Sequence, residues 1–200
     1  MVEKELLELL LGWAKKAASR PDSKARHLLH WLNTHLKPKG VWSDERVVIF
    51  TEYRATLNWL QELLASQGFT GDNRLMTLFG GMDDERREAI KAAFQARPEI
   101  SPVRILLATD AASEGIDLQN HCHRIIHMEI PWNPNRLEQR NGRLDRHGQS
   151  QDVDVYHFVT KGFRKQEQNA WDVHGQGLEA DLEFLFRAVQ KVEQIREDLG

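Results

Sequence analysis

The chain has 200 residues, 40% hydrophobic and 28% charged, with a formal net charge of −3 and a pI of about 6.3. Such a chain buries a sizeable core in one globular domain with appended helices. The charge excludes a globally basic surface, so any nucleic-acid contact must come from local cations or backbone amides. The single cysteine, Cys122, excludes an internal disulfide framework and a cysteine-based zinc site.

In chain order, Val2, Leu6, Leu9, Leu10, Trp13 and Ala17 follow helical spacing. This start is too short and too acidic for a signal peptide, and no later apolar run reaches the ~20 residues that cross a bilayer. A soluble, cytoplasmic protein without membrane contact is expected. Pro21 interrupts, Asp22 is an N-cap, and a second helix carries Leu28, Leu29, Leu32 and Leu36 until Lys37-Pro38-Lys39-Gly40 ends it. Val47 to Phe50 is a continuous apolar run, as in a strand buried on both faces of a parallel sheet. A helix with Leu57, Leu60 and Leu64 follows, then a strand at Leu75–Leu78, a Gly80-Gly81 turn and a charged helix from Asp83 to Phe94. Further strands are predicted at Val103–Ala108, Arg124–Met128 and Val153–Val159, with a helix from Asn133 to Leu144. Strands alternating with helices predict an α/β fold with a mainly parallel sheet and helices on both faces. Beyond Lys161, Leu178, Leu182, Leu185, Val189 and Val192 mark one face of a last helix. The chain thus divides into a helical preface (1–40), an α/β domain (41–160) and a helical extension (161–200).

Two segments carry chemistry. In Q-R-N-G-R-L-D-R-H-G-Q (139–149), Gln139, Arg143 and Arg146 fall at i, i+4 and i+7, so a continuing helix would present an amide and two guanidiniums on one face. Arginine forks onto phosphate oxygens, and Gly142 removes a side chain where something approaches closely. Taken alone, the same run also reads as a solvated helix end with Asp145 as a local partner. The second segment, A-T-D-A-A-S-E-G-I-D-L-Q (108–119), directly follows a predicted strand. Ligands of open α/β sheets bind beyond the carboxyl ends of strands. Its plainer reading is a strand-to-helix connection capped by Asp110 or Ser113. Metal is not expected: His121 and His123 flank Cys122 without a fourth ligand at suitable spacing. Cys122 is read as an inert buried thiol, and Trp31, Trp59 and Trp132 as side chains packed against the sheet rather than base-stacking groups.

These segments resemble motifs of superfamily-two helicases. T-D-A-A-S-E-G-I-D-L resembles motif V, and P-W-N-P-N-R-L-E-Q-R-N-G-R-L-D-R-H-G-Q resembles motif VI with its lead-in. V-V-I-F-T-E-Y resembles motif IV, and G-G-M-D-D-E-R-R-E-A-I-K-A-A-F the glycine turn and arginine-bearing helix between motifs IV and V. All four stand in the family's order over residues 46–160. The phrasing, with D-S-K-A-R-H-L-L-H-W-L ahead of it, is similar to bacterial Swi/Snf-type ATPases. Many of those carry Asn where Asp117 stands, and Asp there is also common in DEAD-box-like relatives.

The resemblance implies the RecA-like second lobe of a motor that hydrolyses ATP between two lobes. It implies that Arg143 and Arg146 are arginine fingers facing the phosphates. Gln139 and Arg140 match positions bridging to the first lobe, and Gly115 and Asp117 match motif V positions near the nucleotide. Thr109 matches a position on the nucleic-acid backbone; Thr51, Gly80 and Gly81 match regions near the tracking strand, and Arg87 the helix arginine. The chain has no G-x-x-x-x-G-K-[ST] loop and no Asp-Glu magnesium motif on a strand. ATP and Mg²⁺ are therefore expected mainly on an N-terminal lobe not contained in it, and the isolated chain is expected to be inactive. DNA is the expected partner, ahead of RNA. A non-catalytic DNA- or protein-binding module and a DEAD-box-type RNA helicase lobe are the alternatives. Arg143 and Arg146 are expected on one exposed rim beyond the strand ends.

Overall fold

The computed structural model describes residues 2–18, 21–110 and 116–158. They fall into two compact units, 1–43 and 44–200. Gly115, residues 159–161 and the predicted C-terminal helix and extension lie outside the described residues. Among those described, no helix is long and apolar enough to cross a membrane.

The first unit holds α1 (Val2–Ala18) and α2 (Ser23–His35). Asp22 caps α2, its carboxylate accepting from the Ala25 amide at 2.7 Å. Leu28 and Leu32 on α2, and Leu36 just beyond it, are buried. A 3₁₀ turn over Pro38–Gly40 ends the helix, with Gly40 at φ +81°, where side chains are disfavoured.

The second unit is a five-stranded, all-parallel sheet: β1 (Val47–Thr51), β2 (Leu75–Leu78), β3 (Ile105–Thr109), β4 (Arg124–His127) and β5 (Asp154–His157). Strand order is β2-β3-β1-β4-β5. Between them run α3 (Arg54–Ser66), α4 (Asp84–Gln95) and α5 (Pro134–Asn141). Parallel crossovers are right-handed. The step from β1 out to β2 therefore puts α3 on one face, and the returning steps to β3 and from β4 to β5 put α4 and α5 on the other. This is the expected RecA-like arrangement. β1 and β3 are buried at every position because helices cover both faces. On one face, Val48, Phe50, Leu106, Ala108 and Ile125 pack with Ile90 and Phe94 of α4.

Three arginines precede the strands: Arg46, Arg74 and Arg104 stand one residue before β1, β2 and β3. The pairings of Val47 and Leu75 with Ile105 set them in one row at the amino edge. Their guanidiniums satisfy carbonyls left open where α4 ends and the chain returns to β3. Arg46 donates to Phe94 O, Arg74 to Pro102 O at 3.2 Å, and Arg104 to Ser101 O at 2.7 Å and Pro98 O at 3.1 Å. Burial, and then the neighbouring Arg104 charge, push Arg46 down to about 10.

Two expectations change. Trp132 does not pack against the sheet; it is 68% exposed, because it sits in the loop after β4 rather than on a strand or helix face. The helix expected to reach Leu144 ends at Asn141. Gly142 caps it, its amide bonding Glu138 O at 2.8 Å, and tight turns follow in which Leu144 N and Asp145 N both donate to Asn141 O.

Cys122 is buried, and burial pushes its thiol up to about 12. Its reaction with a thiol-disulfide reagent at pH 8 should be at least about a hundredfold slower in the folded chain than in urea, because thiolate and access are both lost. A folded-state rate equal to the unfolded one, followed by chromophore release, would show that the thiol is reachable.

Candidate functional site

Because all strands are parallel, their carboxyl ends share one edge. The crossovers from β1 leave toward the opposite face from those of its neighbours β3 and β4, which makes this edge a topological switch point. Thr51 and Thr109 end β1 and β3 and are register partners.

A buried cation organises this edge. Arg140 of α5 is only 2% exposed. Its Nε and Nη2 donate to the two carboxylate oxygens of Asp110, just past β3, at 2.5 and 2.9 Å. Its Nη1 donates to Glu129 O at 3.2 Å and to His127 Nδ1 at 3.3 Å. The guanidinium also lies 5.7 Å from the centre of the Phe50 ring. His127 Nε2 is 3.0 Å from Asn141 Oδ1. The partners assign the tautomer: Nε2–H donates to Asn141 and Nδ1 accepts from Arg140. His127 stacks on His157 with centroids 4.9 Å apart. Burial first, then the His157 and Arg140 charges, hold His127 well below the ordinary histidine range. Burial, then Arg140, pushes His157 down to about 4.

Glu129, after β4, ties the outer side. It accepts from the Thr51 hydroxyl at 2.9 Å and from the Glu52 amide at 3.2 Å. Arg136 of α5 pairs with Glu52 at 3.0 Å and approaches Asp110 at 3.9 Å. α5 is thus fastened along its length to the ends of β1, β3 and β4.

The turn after α5 carries the remaining arginines. Arg143 O accepts from Leu118 N at 3.0 Å, and Arg146 pairs with Asp117. The Gln149 amide donates to Cys122 O at 2.9 Å and Leu144 O at 3.3 Å. The turn is therefore stitched to residues 116–122. A Cβ at Gly142 would meet Glu138 O at 3.1 Å, so the close approach needs glycine or a shift of backbone. Arg143 is half-buried, and its enclosed Nε has no partner among the described residues. Arg146 and Asp117 are both about half exposed.

Several predicted site residues stand where their sequence spacing did not put them. Gln139, Arg143 and Arg146 do not share a helical face, since α5 stops before the arginines; Gln139 is exposed on α5. Arg140 does not reach outward as a bridging residue; its guanidinium is consumed by Asp110 inside the domain. Thr51 is fully buried with its hydroxyl committed to Glu129, and Thr109 is nearly buried, so neither presents a surface hydroxyl. Arg146 is on the rim but ion-paired within the domain. Gly80 and Gly81 are exposed in a turn, Gly81 at φ +83°, and Arg87 is half-buried on α4. Asp110, Glu129, Arg136, Asn141 and the two histidines were missed as a group. Asp110 alone carried a signal, as the polar residue directly after a strand.

Residues 27–148 match the family described as the helicase conserved C-terminal domain. The chain belongs to the helicase C-terminal family. It has the RecA-like fold of a second lobe of superfamily-two helicases. It is 41% identical over 118 residues to "Uncharacterized ATP-dependent helicase YqhH" of Bacillus subtilis, covering 59% of this chain and 19% of that protein. It is 33% identical over 128 residues to "RNA polymerase-associated protein RapA" of Vibrio cholerae, covering 64% and 12%. It is 28% identical over 136 residues to "DNA repair protein rhp54" of Schizosaccharomyces pombe, covering 68% and 15%. The chain therefore spans less than a fifth of these relatives' lengths. The crystal structure of the C-terminal part of the Fun30 ATPase domain has the same fold, with a TM-score of 0.59 at 22% identity, over 80% of this chain and 51% of that one.

Two outcomes check the helicase lobe's internal network. Asp110→Ala strands the buried Arg140 charge and should lower unfolding free energy by about 3 kcal/mol in urea titration. Adding Arg140→Met should recover part of that loss; full additivity of the two substitutions would dissolve the pair as a unit. The histidines act with the opposite sign to a salt-bridged histidine. Their folded pKa values lie below the unfolded value of about 6.5, so the unfolded chain binds protons first and stability falls as pH drops from about 6.5 toward about 4. His157→Phe keeps a stacked ring without the proton site, and the urea midpoint should then vary less over that window than in the parent chain.

Proposed function

We propose that this lobe supplies Arg143 and Arg146 to the phosphates of an ATP held by an N-terminal lobe, in a motor that moves along nucleic acid. The observation carrying this is the finger turn itself. Two guanidiniums stand on one glycine-led turn at the carboxyl edge, locked to residues 116–122, while Arg140 anchors the helix before it. The Arg143 Nε, enclosed and without an acceptor among the described residues, fits a donor that meets its phosphate when the second lobe closes. Arg146 fits as well. Its pairing with Asp117 is half exposed, and such pairs contribute about 0–1 kcal/mol, so a phosphate competes for it readily. Bound ATP with Mg²⁺ would supply the reacting phosphoryl group; this chain's part is to position two cations against its charge. In this reading Gln139, exposed on α5, and Asp117, paired with Arg146, belong to the junction with that lobe.

DNA is the preferred track. YqhH is named an ATP-dependent helicase and rhp54 a DNA repair protein. The exposed Gly80-Gly81 turn offers backbone to phosphates that position without reading sequence. Binding should weaken with salt. Thr51 acts behind this surface, its hydroxyl tying the end of β1 to Glu129, and Thr109 is its buried register partner on β3.

In a protein carrying both lobes, Arg143→Ala should lower nucleic-acid-stimulated ATP hydrolysis by about 10³-fold or more while leaving DNA affinity within about twofold. Paired ATPase and DNA-binding titrations decide it. Lost DNA binding with normal turnover would move the turn from the nucleotide to the track. The 200-residue chain alone should show negligible ATPase activity.

A further inference from the structure

Helix α4 joins two parts of this lobe that lie at its opposite ends. It begins just beyond the exposed Gly80-Gly81 turn, and its last residue, Gln95, reaches the segment that holds the finger turn. With 12 residues it is about 18 Å long.

The first end is tied to the glycine turn. Across that turn the Phe79 amide donates to the Met82 sulfur at 3.4 Å. The Met82 side chain packs against the buried cluster that holds Ile90 and Phe94 of α4. Asp83 then caps the helix, accepting from the Arg86 amide at 2.8 Å. The glycine turn and the start of α4 therefore form one piece.

The far end is tied to the arginines. The Gln95 side-chain amide donates to Asp117 O. Asp117 meets the finger turn as well: its carboxylate pairs with Arg146, and the next amide, Leu118 N, donates to Arg143 O at 3.0 Å. Beneath these polar links, Phe94 of α4, Ile116 and Leu118 on either side of Asp117, and Leu144 next to Arg143 share one buried cluster. A close-packed core deforms little, so a shift of α4 is felt at residues 116–118 and at the turn. Apolar contact sets how close α4 lies to that segment and tolerates rotation of the helix about its axis. The hydrogen bond from Gln95 is directional, so it selects one axial setting of α4 against Asp117.

We propose that Gln95 is a positioning residue that couples the track to the fingers. Nucleic acid seated against the Gly80-Gly81 turn sets α4, and the bond from Gln95 to Asp117 passes that setting to Arg143 and Arg146. This inference rests on the reading of the finger turn and the track given above. Gln95 acts through Asp117 and not by touching phosphate.

Two variants in a protein carrying both lobes test it. Gln95→Met keeps the side chain's length without a donor, and Gln95→Glu keeps its shape but offers only acceptors at neutral pH. Each should lower ATP hydrolysis stimulated by a mixed-sequence DNA duplex by about tenfold, a loss within the usual range of coupling between two sites. Hydrolysis without DNA, and affinity for the duplex without nucleotide, should stay within about twofold of the parent, because coupling is lost and neither site is. The duplex should tighten binding of the β,γ-imido analogue of ATP in the parent and hardly at all in the variants, with the reciprocal effect of the analogue on the duplex lost equally. Circular dichroism confirms that each variant keeps the fold. Unchanged stimulation in both variants, with Arg143→Ala inactive beside them, overturns the coupling role alone. Full stimulated activity in Arg143→Ala overturns the finger reading and this role with it. Equal losses with and without DNA in the Gln95 variants also overturn it, since they show a merely structural contact.

Discussion

The carboxyl edge depends on one buried ion pair, Arg140 with Asp110. Removing a guanidinium and a carboxylate from water costs several kcal/mol per ion, and only good geometry and further hydrogen bonds offset it. Here each nitrogen of Arg140 donates: two forks to Asp110, and Nη1 reaches Glu129 O and His127. Asp110 directly follows β3, His127 ends β4 with Glu129 two residues beyond it, and Arg140 belongs to α5. The cation thus fixes three elements in one direction, because guanidinium hydrogen bonds are planar and directional. Lysine could match the charge but not the fork.

The amino edge uses the same residue type to another end. Arg46, Arg74 and Arg104 stand in register on adjacent strands, where like charges repel, and burial depresses Arg46 further. They persist because the carbonyls between α4 and β3 need donors at that spot, and the Asp44 carboxylate takes the Arg104 Nη2 proton donor at 3.0 Å. One end of the sheet spends its arginines on closing loops. The other holds one inside and carries two on the turn after α5, Arg143 half-buried and Arg146 paired with Asp117.

The sequence made the sheet legible because β1 and β3 are uninterrupted apolar runs and because helical spacing marks α2, α3 and α4. The capping Asp22 could be read directly and accepts from a helix amide, whereas Asp83, taken as the first residue of its helix, is instead its cap. The site was legible as a region, not as a geometry. Extending the α5 period through Gly142 put Gln139, Arg143 and Arg146 on one face, whereas glycine ended the helix and redirected both arginines. The resemblance casts Arg140 as a residue bridging to the first lobe, whereas its acceptor lies thirty residues earlier in this chain. That partnership follows from strand order, which no local pattern encodes. The same holds for Thr51 with Glu129 and for His127 with Asn141 and His157.

Strand order also bears on synthesis. β1 is the middle strand and is made first, yet Val47 pairs with Ile105 and Val48 with Ile125. As the chain leaves the ribosome, V-V-I-F-T waits with both hydrogen-bonding edges bare until much later strands emerge. Such non-local pairing is slow, and an apolar strand with open edges is prone to join other chains. The segment that ends as the most enclosed part of the domain is thus its most vulnerable part during translation, a burden that falls on chaperones rather than on the finished fold.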